Sequence, residues 1–150
     1  MNPSNELIAQ QKLIFGPFFS MISLTVIVWI YMYIRRIHFI LSKNIKTDQI
    51  RRGEQLSRLS PDNVQNPSDN LKNLFEIPVI FYAFTIYLFI TQQVDSTYIL
   101  GCWIYVFARA FHSLIHCTIN IILVRFYSYL FSCSVLFGMI ARAMLVHFLS

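Results

Sequence analysis

The chain alternates four long apolar runs with one long polar one. Residues 13–34 are 22 positions without a charge, and an apolar helix crosses the hydrocarbon core in about 20 residues. This run predicts the first span. It shows no basic start, short apolar core and small-residue cleavage site, so it reads as a retained span rather than a signal peptide. Residues 35–70 are polar and predict a loop, with the first helix extending through Leu41. Asn66-Pro67-Ser68-Asp69 has the composition of a helix start, with Asn as cap, Pro at the first helical position and Asp in the first turn. A second span is expected over 71–94. Pro78 removes one backbone donor inside it, which predicts a kink near Leu74. A short turn at 92–97 leads to a third span over 98–124 and a fourth over 126–145. The expected fold is all-α: a polytopic membrane protein built as a four-transmembrane-helix bundle, with residues 1–150 forming one domain.

Composition agrees. Hydrophobic residues make up 56% and charged residues 13%, far from a soluble domain. The net charge of +5 raises nucleic acid as a partner, but its distribution argues against one. Arg35, Arg36, Lys43, Lys46, Arg51, Arg52, Arg58 and Lys72, eight of the twelve basic residues, flank the first two spans. Juxtamembrane charge of this kind sets orientation. It puts the 35–70 loop in the cytoplasm and both termini outside. Cys102, Cys117 and Cys133 lie in apolar segments without CxxC spacing and read as reduced packing residues, and no metal site is expected.

The third run carries the candidate chemistry. On a helix, Tyr105, Arg109, His112, His116 and Asn120 fall within roughly 80° of one another. An arginine at mid-membrane costs at least about 2.5–3.5 kcal/mol, so it faces a bundle interior with a partner. Asn73 and Glu76, three residues apart on the second span, offer one, and a Glu76–Arg109 ion pair is expected. Arg125 and Tyr129 share a face at the start of the fourth span. Three readings of the stripe stay open: a structural lock fixing helix register, a ligand site, and an ion pathway through Arg109, His112 and His116.

The runs NLFEIPVIFY with Asn73 and Glu76, FARAFHSLIH with Arg109, and RFYSY with Arg125 and Tyr129 resemble, in order and separation, the MAPEG family of membrane-associated proteins in eicosanoid and glutathione metabolism. The likeness covers residues 67–149, and NLFEIPVIFY looks most like the family's bacterial branch. The resemblance implies a homotrimer in the bacterial inner membrane. It also implies glutathione as co-substrate, bound at the cytoplasmic side of the subunit interface, and transferase or peroxidase activity on lipophilic small-molecule substrates. It carries over Asn73, Glu76, Arg109, His112 and His116 as glutathione-binding positions. Arg125 and Tyr129 carry over as the catalytic pair that activates the thiol. Many members have an arginine three or four residues before the Asn; here Asn70 and Asp69 stand there, and Arg35 or Arg36 is the expected substitute. The alternative is a non-catalytic trimeric membrane protein that binds a lipid or small anion.

Overall fold

The computed structural model describes residues 3–50 and 53–149. The expected loop also contains Arg51 and Arg52, and the expected domain also contains residues 1, 2 and 150; these lie outside the described residues. The order is α1 (Pro3–Lys12), α2 (Phe15–Ser42), a 3-10 turn (Thr47–Ile50), α3 (Gly53–Leu59), α4 (Asp62–Leu74), α5 (Ile77–Ile90), α6 (Ser96–Cys117) and α7 (Ile122–Leu149). Among the described residues four stretches are long and apolar enough to cross a membrane: Ile8–Ser42, Asp62–Ile90, Ser96–Cys117 and Ile122–Leu149.

Met21 and Val28 of α2, Leu74 and Phe81 of α4 and α5, Cys102 and Tyr105 of α6, and Leu136 of α7 close the core. Outward positions such as Ile34, Ile90, Phe107 and Leu123 are exposed and apolar, the surface a bilayer requires. Gly101 lets α6 and α7 approach, because a Cβ there would collide with the Met139 thioether. At one end, the polar end, lie the 43–61 connection and the α6–α7 turn. At the other, the terminal end, lie α1, the α5–α6 turn and the last turns of α7.

Several boundaries differ from the sequence expectation. The helix expected to start at Asn66-Pro67 starts at Asp62, with Pro67 inside it. Pro67 deprives the Asn63 carbonyl of a donor, but Asn63 is exposed and its carbonyl can be solvated. The second span ends at Ile90 rather than 94; Gln92 takes a left-handed φ of 56°, and the Gln93 amide donates back to the Leu88 carbonyl at 2.9 Å. The third span ends at Cys117 rather than 124, and the fourth starts at Ile122 rather than 126. Asn120 makes that turn with a φ of 47°, a conformation Asn tolerates better than most residues. The Pro78 kink takes the form of a break at Phe75–Glu76, where α4 stops and α5 begins. The first helix extends through Leu41 as expected, reaching Ser42.

Candidate functional site

The stripe on α6 faces inward. Tyr105, Arg109, His112 and His116 are all buried, and Arg109 is 0% exposed. Phe107, Phe111 and Leu114 occupy the outer face. Asn120 lies past the helix end, in the turn.

Arg109 is not paired with Glu76. No ion pair joins them, and Glu76 is exposed. The partner is backbone: Arg109 Nη2 donates to the Asn73 carbonyl at 3.0 Å. The reason lies in the break. Helix α4 ends at Leu74, so its last carbonyls lose their helical donors. The guanidinium caps this terminus, where the helix dipole places about half a negative charge, an interaction worth up to about 2 kcal/mol when partly buried. The Arg109 guanidinium also lies 5.2 Å from the Tyr129 ring centroid, worth about 2 kcal/mol when desolvated. Together these are comparable to the insertion cost, so no carboxylate is needed. Proline and arginine are thus two halves of one device: Pro78 opens the helix and Arg109 caps it.

Arg109 keeps unengaged donors. Its Nε and Nη1 have no hydrogen-bond partner among the described residues, nor do His112 Nε2, His116 Nδ1 and the Tyr105 hydroxyl. His112 Nδ1 meets the Arg125 carbonyl at 2.9 Å. That contact requires the proton on Nδ1 and leaves Nε2 as the acceptor in the neutral ring. The His112 ring lies 5.5 Å from His116 and 5.7 Å from Tyr129. Ser128 hydroxyl donates to the same Arg125 carbonyl at 2.9 Å.

Arg125 is held by a chain of amides. Its Nη1 donates to Asn120 Oδ1 at 2.7 Å, and Asn120 Nδ2 donates to Asn66 Oδ1 at 3.1 Å. Asn70, fully buried, accepts from Ser113 at 3.4 Å and donates to the Cys117 sulfur at 3.4 Å. Cys117 is half-buried and accepts this hydrogen bond, whereas Cys102 and Cys133 are buried.

The seven positions singled out in the sequence thus form two sets. Arg109, His112 and His116 are sealed inside the chain. Asn73, Arg125 and Tyr129 are half-buried and Glu76 is exposed, so none of these four is sealed inside the chain. Asn66, Asn70 and Ser128 were not singled out as site residues. Asn66, Asn70 and Asn73 recur at i, i+4 and i+7, a polar stripe on α4 that faces the one on α6 and was legible by the same rule. Arg36 turns elsewhere: its Nη2 donates to the Ser68 hydroxyl at 2.8 Å.

The terminal end is built differently. Arg142 makes a two-point contact with Asp95, at 3.1 Å for Nη1, and stands over the Tyr98 ring at 4.2 Å. Asp95 also caps α6 by accepting from the Tyr98 amide at 2.9 Å. Gln11 fixes α1 by donating to the Val94 carbonyl at 3.3 Å and accepting from its amide at 3.1 Å.

A family model described as the MAPEG family matches residues 14–145. Neither the curated proteins nor the solved structures give a match.

Proposed function

The chain belongs to the MAPEG family, and from that premise we propose that it is a glutathione-dependent transferase or peroxidase acting on lipophilic electrophiles. It is a multi-pass integral membrane protein of a family that includes such enzymes and whose members use glutathione and assemble as trimers. We take the chain as a homotrimer, with the polar end facing the cytoplasm of a bacterial inner membrane and both termini outside.

One observation carries the reading: the amide-anchored guanidinium of Arg125, half-buried at the polar end. Glutathione presents two carboxylates, one ammonium and a thiol. Among the described residues only Nη1 of the Arg125 guanidinium is engaged, so its other donors can fork onto an anion. Glu76 is exposed without an ion pair among the described residues and suits an ammonium. Among the described residues the Asn73 side-chain amide is unengaged; it is the Asn73 backbone carbonyl that Arg109 holds. Glutathione supplies the nucleophilic sulfur. A thiol with pKa near 8.5 is mostly protonated at neutral pH, and a guanidinium beside it favours the thiolate. Arg125 has that role, and the Tyr129 hydroxyl, one turn along the same face, is the second donor to sulfur. As sulfur attacks an aryl halide, the sulfur–carbon bond forms, halide leaves and the thiol proton passes to water.

The buried set serves that surface from within. Arg109 fixes the break that presents Asn73 and Glu76, and His112 holds the backbone of Arg125. His116 lies against His112. The three are thereby positioning residues in a single chain, at positions the resemblance assigns to glutathione contact.

The test is conjugation of glutathione to 1-chloro-2,4-dinitrobenzene by protein reconstituted in nanodiscs. Turnover above the uncatalysed rate, lost in Arg125→Ala with the fold intact, supports the reading. Absence of both turnover and glutathione binding in the wild type contradicts it and favours a non-catalytic trimer that binds a lipid or small anion.

A further inference from the structure

A polar cavity lies apart from the Arg109 and Arg125 cluster. It measures about 450 Å³ and is enclosed by α2, α3 and α4, with Arg36, Glu54, Ser57, Arg58, Gln65 and Lys72 in its wall. Three helices each send a cation into it. Lys72 is partly neutralised by Asp69, at 2.9 Å. The guanidinium groups of Arg36 and Arg58 have no carboxylate within ion-pair distance among the described residues. Arg36 donates one hydrogen bond to a neutral hydroxyl, Ser68. Among the described lining residues Glu54 is the single acidic one. Two unneutralised guanidiniums in one cavity repel each other, and an anion with several acceptor oxygens relieves that repulsion.

Depth decides which anion. Trp29 and Tyr33, exposed and 4.6 Å apart on α2, form the aromatic pair expected where acyl chains meet headgroups. Arg36 follows one turn later, within the first membrane-spanning stretch but near its polar end. Exposed Ile37 and Leu41 continue past it. A basic cavity at that level faces phosphates rather than hydrocarbon. We infer that this cavity binds the phosphodiester headgroup of an anionic membrane lipid, held by Arg36 and Arg58 with Lys72 at its rim. Inorganic phosphate shares the recognised chemistry but lacks the acyl chains that would lie along α2.

The experiment titrates dioleoylphosphatidylglycerol, dioleoylphosphatidylcholine and inorganic phosphate into the full chain in detergent micelles, reading the thermal unfolding midpoint. Phosphatidylglycerol is expected to raise the midpoint where phosphatidylcholine does not. Arg58→Gln is expected to weaken the apparent affinity for phosphatidylglycerol about fivefold. Arg58 is exposed on a short helix, so this variant folds whether or not Arg36→Gln does. Equal affinity in wild type and Arg58→Gln overturns the proposal, as does an equal effect of the two lipids. A full shift from phosphate alone overturns the lipid as source and assigns the free anion. Loss of the lipid effect on adding glutathione assigns the cavity to the thiol and also overturns it.

Discussion

The two ends of the bundle handle their charged groups in opposite ways. At the terminal end Arg142, Asp95, Tyr98 and Gln11 use their charged and hydrogen-bonding groups on one another and on nearby backbone. Only neutral atoms, Gln93 Oε1 and the Tyr98 hydroxyl, are buried there without a partner. At the polar end a fully buried arginine keeps two unengaged nitrogens, and two buried histidines each keep one. The first arrangement is a staple between α6 and α7. The second has capacity beyond what the fold needs, and unsatisfied polar groups in an apolar interior are costly enough to need an explanation. The difference teaches that polarity inside a membrane bundle does not by itself mark a site; hydrogen-bonding capacity that is both unengaged and within reach of a ligand, as on Arg125 and Glu76, is the better guide.

Mutations at the two ends should therefore separate. The largest effect is expected at the polar end: Arg125→Ala lowers glutathione conjugation by about 100-fold or more, as loss of a donor to a developing anion does elsewhere. The unfolding midpoint barely moves, because the Arg125 side chain is half-buried and, among the described residues, its guanidinium hydrogen-bonds only to Asn120. Equal losses of turnover and stability would erase the distinction between site and staple.

Arg109→Ala comes next. It leaves the Asn73 carbonyl at the α4 terminus without its donor, for a loss of about 2 kcal/mol in equilibrium unfolding. Glu76→Gln should leave stability unchanged, since Glu76 is exposed and unpaired, and reduce glutathione affinity. A large stability loss in Glu76→Gln would restore the ion pair that the geometry does not contain.

At the terminal end Asp95→Asn should cost no more than about 1 kcal/mol, since both side chains of the pair are roughly two-fifths exposed. Turnover should be unaffected. Hydrogen bonds from Arg142 hold the Asp95 carboxyl below the usual carboxylate range, with partial burial opposing them. The contribution is thus fully present above the unfolded value of about 4 and fades as pH falls through the lower folded value. Wild type should lose this increment on acidification and Asp95→Asn should not, which pH-dependent unfolding would detect.

Much of this contrast was legible in the sequence. The 3.6-residue spacing of Tyr105, Arg109, His112 and His116 fixed their common face, and the cost of a lipid-facing arginine fixed its direction. Pro78 located the break. The partner of Arg109 was not legible, because a carboxylate three residues beyond Asn73 is visible in a sequence and a carbonyl freed by a break is not. The helix boundaries failed for related reasons. Pro67 fits a helix interior when the carbonyl it orphans is solvated, and Asn120 ended α6 through a left-handed turn inside an otherwise apolar run. Nor did residue types reveal which site residues are sealed and which are accessible, since that depends on how α4 and α7 seat against α6.

The central claim is that Arg125, whose guanidinium engages only Asn120 among the described residues, holds a thiol ligand at the polar end. Calorimetric titration of glutathione into nanodisc-embedded protein tests it most directly. The account predicts a saturable heat in the wild type, retained in Asp95→Asn and lost in Arg125→Ala. Binding that survives Arg125→Ala, or no binding in a folded wild type, would contradict it.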